Sequence, residues 1–142
     1  MLFIKNAKVY TMAGEIIEGG CILVENGKIK EVGTDLVAPL DAEIIDATGK
    51  NVFPGFIDAH CHIGMWEEGI GFEGADGNEM TDPITPHLRA IDAINPRDEA
   101  FPNAIKGGVT TAATGPGSAN VIGGSFSVIK LPGERIDDMT LV

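Results

Sequence analysis

Hydrophobic and polar positions in the first third of the chain alternate with the short period of β structure rather than the longer period of a helix. Phe3-Ile4-Lys5-Asn6-Ala7-Lys8-Val9-Tyr10 reads as a strand of mixed pattern. Gly20-Cys21-Ile22-Leu23-Val24-Glu25 and Lys28-Ile29-Lys30-Glu31-Val32 read as two more. Asn26-Gly27 between them favours positive φ at both positions and predicts a tight hairpin. Val24, Ile29 and Val32 are expected on one face and Glu25, Lys28 and Lys30 on the other, giving a sheet with one buried and one wetted side. Glu43-Ile44-Ile45-Asp46 is a fourth strand, closed by a turn at Ala47-Thr48-Gly49-Lys50. So few short strands need a further sheet or domain to lean on.

Pro54-Gly55 breaks this pattern. Phe56-Ile57-Asp58-Ala59-His60-Cys61-His62-Ile63 follows as a compact run that predicts a buried strand. An acidic, Gly-rich segment then reads as an extended loop. Thr85-Pro86 predicts a short helix through Asp92, because Pro suits a first helical position, and Asn95-Pro96 ends it. A second helix is expected from Asp98 to Lys106, stopped by Gly107-Gly108. Val109-Thr110-Thr111-Ala112-Ala113-Thr114 is a β-branched strand, and Phe126-Ser127-Val128-Ile129-Lys130 is a further strand candidate. Helix, glycine and strand in that order is the rhythm of an α/β unit.

Composition narrows the function classes. The 142 residues carry a net charge of −11, which repels a phosphate backbone and argues against nucleic-acid binding. No apolar run approaches the ~20 residues that span a bilayer, and the first residues lack the features of a signal peptide. A cytoplasmic protein without membrane attachment is the expectation. Cys21 and Cys61 fit no metal-binding or redox spacing and are expected as reduced, partly buried thiols.

The chemistry gathers at His60 and His62. Residues two apart on a strand point to one face, ~6.5–7 Å apart along the chain, so both imidazoles can lean toward one ion. Asp58 is expected on the same face, as a group that hydrogen-bonds near the metal, with Cys61 turned away. Two histidines on an otherwise apolar strand need partners if buried, and a loop begins directly after them. Glu67, Glu68, Glu73, Asp76, Glu79 and Asp82 fit no calcium loop and read as a solvated loop. Gly115-Pro116-Gly117-Ser118 and Gly123-Gly124 fit no phosphate-binding motif and read as turn-rich connections. His87 reads as a surface residue.

Pro54-Gly55-Phe56-Ile57-Asp58-Ala59-His60-Cys61-His62 resembles the PGxIDxHxH signature of the amidohydrolase superfamily. Ile45-Asp46-Ala47-Thr48-Gly49-Lys50 is similar to the IDAxGK lead-in of that family, and Gly107-Gly108-Val109-Thr110-Thr111 to its GVTT strand. Residues 117–124 further resemble imidazolonepropionase-related members. The resemblance implies an α/β protein in which residues 1–55 are the N-terminal part of a small β-sandwich. Residues 56–142 would then be the first strands and helices of a (β/α)8 barrel, incomplete in this chain. It implies His60 and His62 as metal ligands for a divalent ion, zinc foremost and iron or manganese as alternatives.

The implied activity is hydrolysis of C–N bonds in small-molecule amides or cyclic amides, other than peptides, by metal-activated water. A full barrel takes ~250 residues, and the family's further ligands (a Lys or Glu, two more His and a catalytic Asp) find no places here. Lys130 is not assigned to the lysine of that set, because it falls on an early strand with no later ligands beside it. The chain alone is therefore expected to be inactive and to act in an oligomer or with a complementing chain. The alternative is a non-catalytic oligomerising or partner-binding fragment of such an enzyme.

Overall fold

The computed structural model describes every residue from Met1 to Val142. The backbone divides into two compact units, Met1–Pro54 and Gly55–Val142.

The first unit is a five-stranded sheet. Its strands are β1 (Leu2–Tyr10), β2 (Ile16–Glu25), β3 (Lys28–Gly33), β4 (Glu43–Asp46) and the short β5 (Asn51–Val52). Their order is β3-β2-β1-β4, with β5 also on β1. The first three form an antiparallel meander, while β4 and β5 run parallel to β1. Asn26 and Gly27 turn the β2–β3 hairpin with φ of 52° and 73°, the geometry that this dipeptide favours.

Bulges decide which side chains are buried. Strict alternation puts Ile29 and Val32 on opposite faces. An extra residue on β3 sets Ile29 opposite Val24 and Val32 opposite Ile22, so both share one face. Two more shifts occur between β1 and β2, where Asn6 and Gly19 adopt φ of 61° and 62°. They bring Ile4, Ala7 and Val9 to the same side, where Ala7, Val9, Ile22 and Ala47 form a core. Phe3, Cys21 and Leu23 form a second core with Leu36, Ala38 and Ala42. The expectation of one buried and one wetted face is thus corrected: the segment after β3 folds back and supplies apolar cover to the other side. The strand β3 itself is largely exposed, with Ile29 at 66%.

The second unit contains β6 (Phe56–Cys61), α1 (Ala100–Lys106), β7 (Val109–Thr114), β8 (Ser127–Lys130) and α2 (Ile136–Met139), with 3-10 turns at Gly71–Gly74 and Ala90–Asp92. Strand β7 is central, parallel to β6 and antiparallel to β8. A parallel pair needs a long crossover, and the segment that ends in α1 provides it. The connection from β7 to β8 contains no helix, and β8 returns antiparallel, unlike the next strand of an all-parallel barrel. The core gathers Met65, Ala90, Ile94, Phe101, Ala112, Ile129, Leu131 and Met139.

Two expectations fail here. The run from Phe56 is not a buried strand: Phe56 to His60 are all exposed, because β6 lies at the sheet edge with β7 as its only neighbour. The helix expected from Pro86 to Asp92 shrinks to the turn Ala90–Asp92. The preceding residues are committed to extended bridges, Ile84 with Ile122 and Arg89 with Ser125, and a bridged backbone cannot also coil. The helix expected from Asp98 forms as α1. The Asp98 carboxylate accepts the Ala100 N–H at 3.1 Å, satisfying one of the donors that a helix start leaves unpaired. No helix is long and apolar enough to cross a membrane.

Candidate metal centre

The two histidines stand at the end of the edge strand. His60 lies inside β6, and His62 is the first residue but one beyond His60, just past the strand's last residue, Cys61. Their rings approach edge to face with centroids 5.4 Å apart. His60 is exposed and His62 half-buried.

The end of β7 grips the chain on both sides of His62. Gly115 N–H donates to the Cys61 carbonyl at 3.2 Å. The buried Thr114 hydroxyl donates to the Ile63 carbonyl at 2.9 Å. His62 itself places Nδ1 2.7 Å from the Gly115 carbonyl oxygen. A carbonyl can only accept, so Nδ1 carries the proton and Nε2 of the neutral ring keeps its lone pair. A metal needs that lone pair, so this hydrogen bond fits His62 as a ligand through Nε2.

Two aromatic rings that composition alone does not single out complete the surroundings. Phe126 packs with its centroid 5.1 Å from His60 and 6.4 Å from His62. Trp66 meets His62 at 5.1 Å. Each ring rests on glycine. A Cβ on Gly77 would lie 1.7 Å from Trp66, and one on Gly117 would lie 3.0 Å from it. A Cβ on Gly115 would lie 2.3 Å from the Phe126 ring. Gly77, Gly115 and Gly117 have ordinary backbone angles and are needed for close approach. The only sequence trace of this arrangement is the placement of a lone Trp and a lone Phe in stretches otherwise rich in Gly, Ser and acids.

The other candidates take other partners. The register of β6 against β7 shifts between Asp58 and Cys61, and Asp58 stays next to the pair. Its carboxylate folds back to accept the His60 N–H at 3.2 Å. Cys61 donates to the Ala113 carbonyl at 3.5 Å, and burial pushes its thiol pKa up. His87 and Lys130 are exposed. Several loop acids serve local turns: Glu79 accepts from the Thr81 hydroxyl and N–H, which lowers its pKa, and Asp82 accepts the Ile84 N–H. No group of three His, Cys, Asp or Glu side chains is placed to hold a metal ion. The histidines therefore fit as two ligands of a set and not as a whole one, since zinc sites have three or four protein ligands. A cleft of about 380 Å³, lined by neither histidine, has Asp76, Asn78, Glu79, Arg89 and Asn120 in its walls, together with Gly77 from beneath Trp66. Pro116, Gly123 and Gly124 line it as well.

No family model matches the chain. An amidohydrolase from Hapsidospora irregularis is 42% identical over 115 residues, covering 78% of this chain and 12% of the relative. A dihydroorotase from Geotalea daltonii is 48% identical over 62 residues, covering 44% of this chain and 15% of the relative. The chain thus spans less than a fifth of either curated relative. The crystal structure of an amidohydrolase from Thermotoga maritima superposes with a TM-score of 0.89 at 48% identity, over 99% of this chain and 36% of that one. The two chains share nearly all of this α/β arrangement, and the chain belongs to the amidohydrolase superfamily, matching the N-terminal portion of its members.

Proposed function

We propose that this chain supplies the two-histidine strand of a metal-dependent hydrolase of C–N bonds in small-molecule amides or cyclic amides. The observation that carries the reading is the hydrogen bond from His62 Nδ1 to the Gly115 carbonyl at 2.7 Å. It leaves Nε2 available beside the His60 ring. When bound, a divalent ion, zinc foremost and iron or manganese as alternatives, lowers the pKa of its water toward ~7 and polarises an amide carbonyl. His60 and His62 would hold that ion as two of its ligands, with Phe126 packed against both rings and Trp66 against His62. Residues 1–55 act as the N-terminal part of a small β-sandwich and residues 56–142 as the start of the barrel. The remaining ligands come from outside this fold, from further chain or from a complementing or symmetry-related copy, in the cytoplasm. The relatives' names and the likeness of residues 117–124 to imidazolonepropionase-related proteins support an amide or cyclic amide substrate.

The test is metal content together with mass in solution. Stoichiometric zinc that is lost in both His60→Ala and His62→Ala is the expected result. A stable assembly that takes up no zinc, iron or manganese would sink the reading and leave a non-catalytic oligomerising or partner-binding piece.

A further inference from the structure

Gly115 touches the surroundings of both imidazoles at once. Its N–H is tied to Cys61 O at 3.2 Å, and its carbonyl receives His62 Nδ1 at 2.7 Å. The space where its side chain would stand is filled by Phe126, whose Cγ and Cδ2 lie 2.3 Å from a Cβ built there. The same Phe126 ring packs against His60 and His62 at 5.1 and 6.4 Å. A free imidazole turns about its last side-chain torsion, which is broad and roughly two-fold, and exchanges its proton between two nitrogens. The Gly115 carbonyl removes the second freedom for His62, and the Phe126 ring restricts the first for both histidines.

We propose that Gly115 and Phe126 are positioning residues for the histidine pair. The Gly115 carbonyl fixes the Nδ1–H tautomer of His62, and its missing side chain admits the Phe126 ring that holds the planes of His60 and His62. This rests on the reading of the two histidines as metal ligands, except that the tautomer is a property of the metal-free chain. Any larger residue at 115 displaces the ring, so one substitution disturbs both imidazoles.

The experiment uses the full chain without metal, with long-range proton–nitrogen correlation spectra of the imidazoles. His62 is expected as Nδ1–H in the native chain, with the Nε2–H form appearing in Gly115→Ala. Zinc titration follows. Phe126→Ala, which leaves the Gly115 carbonyl in place, is expected to keep the His62 tautomer and weaken zinc binding about 10- to 100-fold, the range for losing a group that orients a ligand. Phe126→Tyr, which keeps the ring, is expected to bind within about threefold of the native chain. Circular dichroism checks the fold of each variant, and Phe126→Ala alone decides the case for the ring if Gly115→Ala does not fold. An Nε2–H tautomer in the native chain, or unchanged zinc affinity in Phe126→Ala, overturns the proposal. A native chain that shows Nδ1–H on His62 and, in a stable assembly, binds no zinc, iron or manganese overturns the metal reading alone and upholds the hold of Gly115 on His62.

Discussion

Asn6 and Asp46 lock a bulge to a strand end. Asn6 adopts a φ of 61° in the shifted register of β1, and its side-chain amide donates to both carboxylate oxygens of Asp46 at 3.2 and 3.3 Å. The Thr48 hydroxyl donates to the same carboxylate at 2.6 Å and the Thr48 N–H at 3.0 Å. Led by the Thr48 hydroxyl, these donors pull the Asp46 pKa down to about 2 from 3.8.

That lowered pKa sets a pH window. A carboxylate with a depressed folded-state pKa contributes stability above its unfolded value and loses it as pH falls through the folded value. The contribution of Asp46 is therefore complete at neutral pH and fades between 3.8 and about 2. Thermal midpoints measured down this window are expected to fall more steeply for the native chain than for Asp46→Asn. Parallel curves would remove Asp46 from the acid response.

The bulge residue itself is testable. A β-branched side chain is poorly tolerated at positive φ, so Asn6→Val is expected to destabilise by about 1–3 kcal/mol. Asn6→Gly, which keeps the backbone conformation and loses the amide, is expected to cost less. Urea midpoints in the opposite order would mean that the amide, not the backbone, dominates at this site.

Ile129 lies at the centre of the second unit's core with no exposed surface. Ile129→Ala is expected to cost about 2–5 kcal/mol through lost transfer energy and the cavity left behind. Equilibrium unfolding in urea reads this directly, and a loss below about 1 kcal/mol would show that the neighbours collapse into the space.

Trp66 is the only tryptophan in the chain, so its emission reports the glycine seat beneath it. Gly77→Ala brings a methyl carbon into the indole ring and is expected to shift the fluorescence maximum to the red as the ring swings into water. An unchanged spectrum in a folded variant would mean that the loop, not the indole, gives way.

Both thiols are expected to be sluggish toward a thiolate-selective reagent. Cys21 is buried and Cys61 half-buried, and burial raises the Cys61 pKa, leaving less thiolate near neutral pH. Reagent uptake is expected to be slow in buffer and to reach both residues in denaturant. Rapid labelling of Cys61 in the native chain would contradict the packing of its sulfur against the core.

Local structure was legible in the sequence. Asn26-Gly27 encodes its turn within two residues, and the two-residue spacing of His60 and His62 brings their rings together at the end of β6. Features that arise between distant segments were not. The extra residues near Asn6, Gly19 and Lys30 leave no mark in a hydrophobic pattern, because alternation looks intact on either side of each. The stretch from Ile84 to Arg89 contains a good helix start at Thr85-Pro86, yet the bridges of its two ends to Ile122 and Ser125 override that preference. Gly77, Gly115 and Gly117 read as turn punctuation, whereas their role is to make room for rings brought in from elsewhere in the chain. Trp66 and Phe126 gain significance only through contacts with His60 and His62 that no sequence period encodes.

The pairing of β6 has a consequence for the order in which the molecule assembles. Asp58 finds its partner in Ala112, and Cys61 in Thr114, so the histidine strand has no sheet neighbour until residues far downstream have been synthesised. The β2–β3 hairpin, by contrast, closes over a two-residue turn. Closing a long loop costs chain entropy before any contact rewards it. On a growing chain the β2–β3 hairpin therefore forms early, while His60 and His62 stay on an unpaired segment until β7 leaves the ribosome. The histidine segment is thus put in order only after the β2–β3 hairpin, and Gly115, which follows β7 directly, arrives just as that strand is completed.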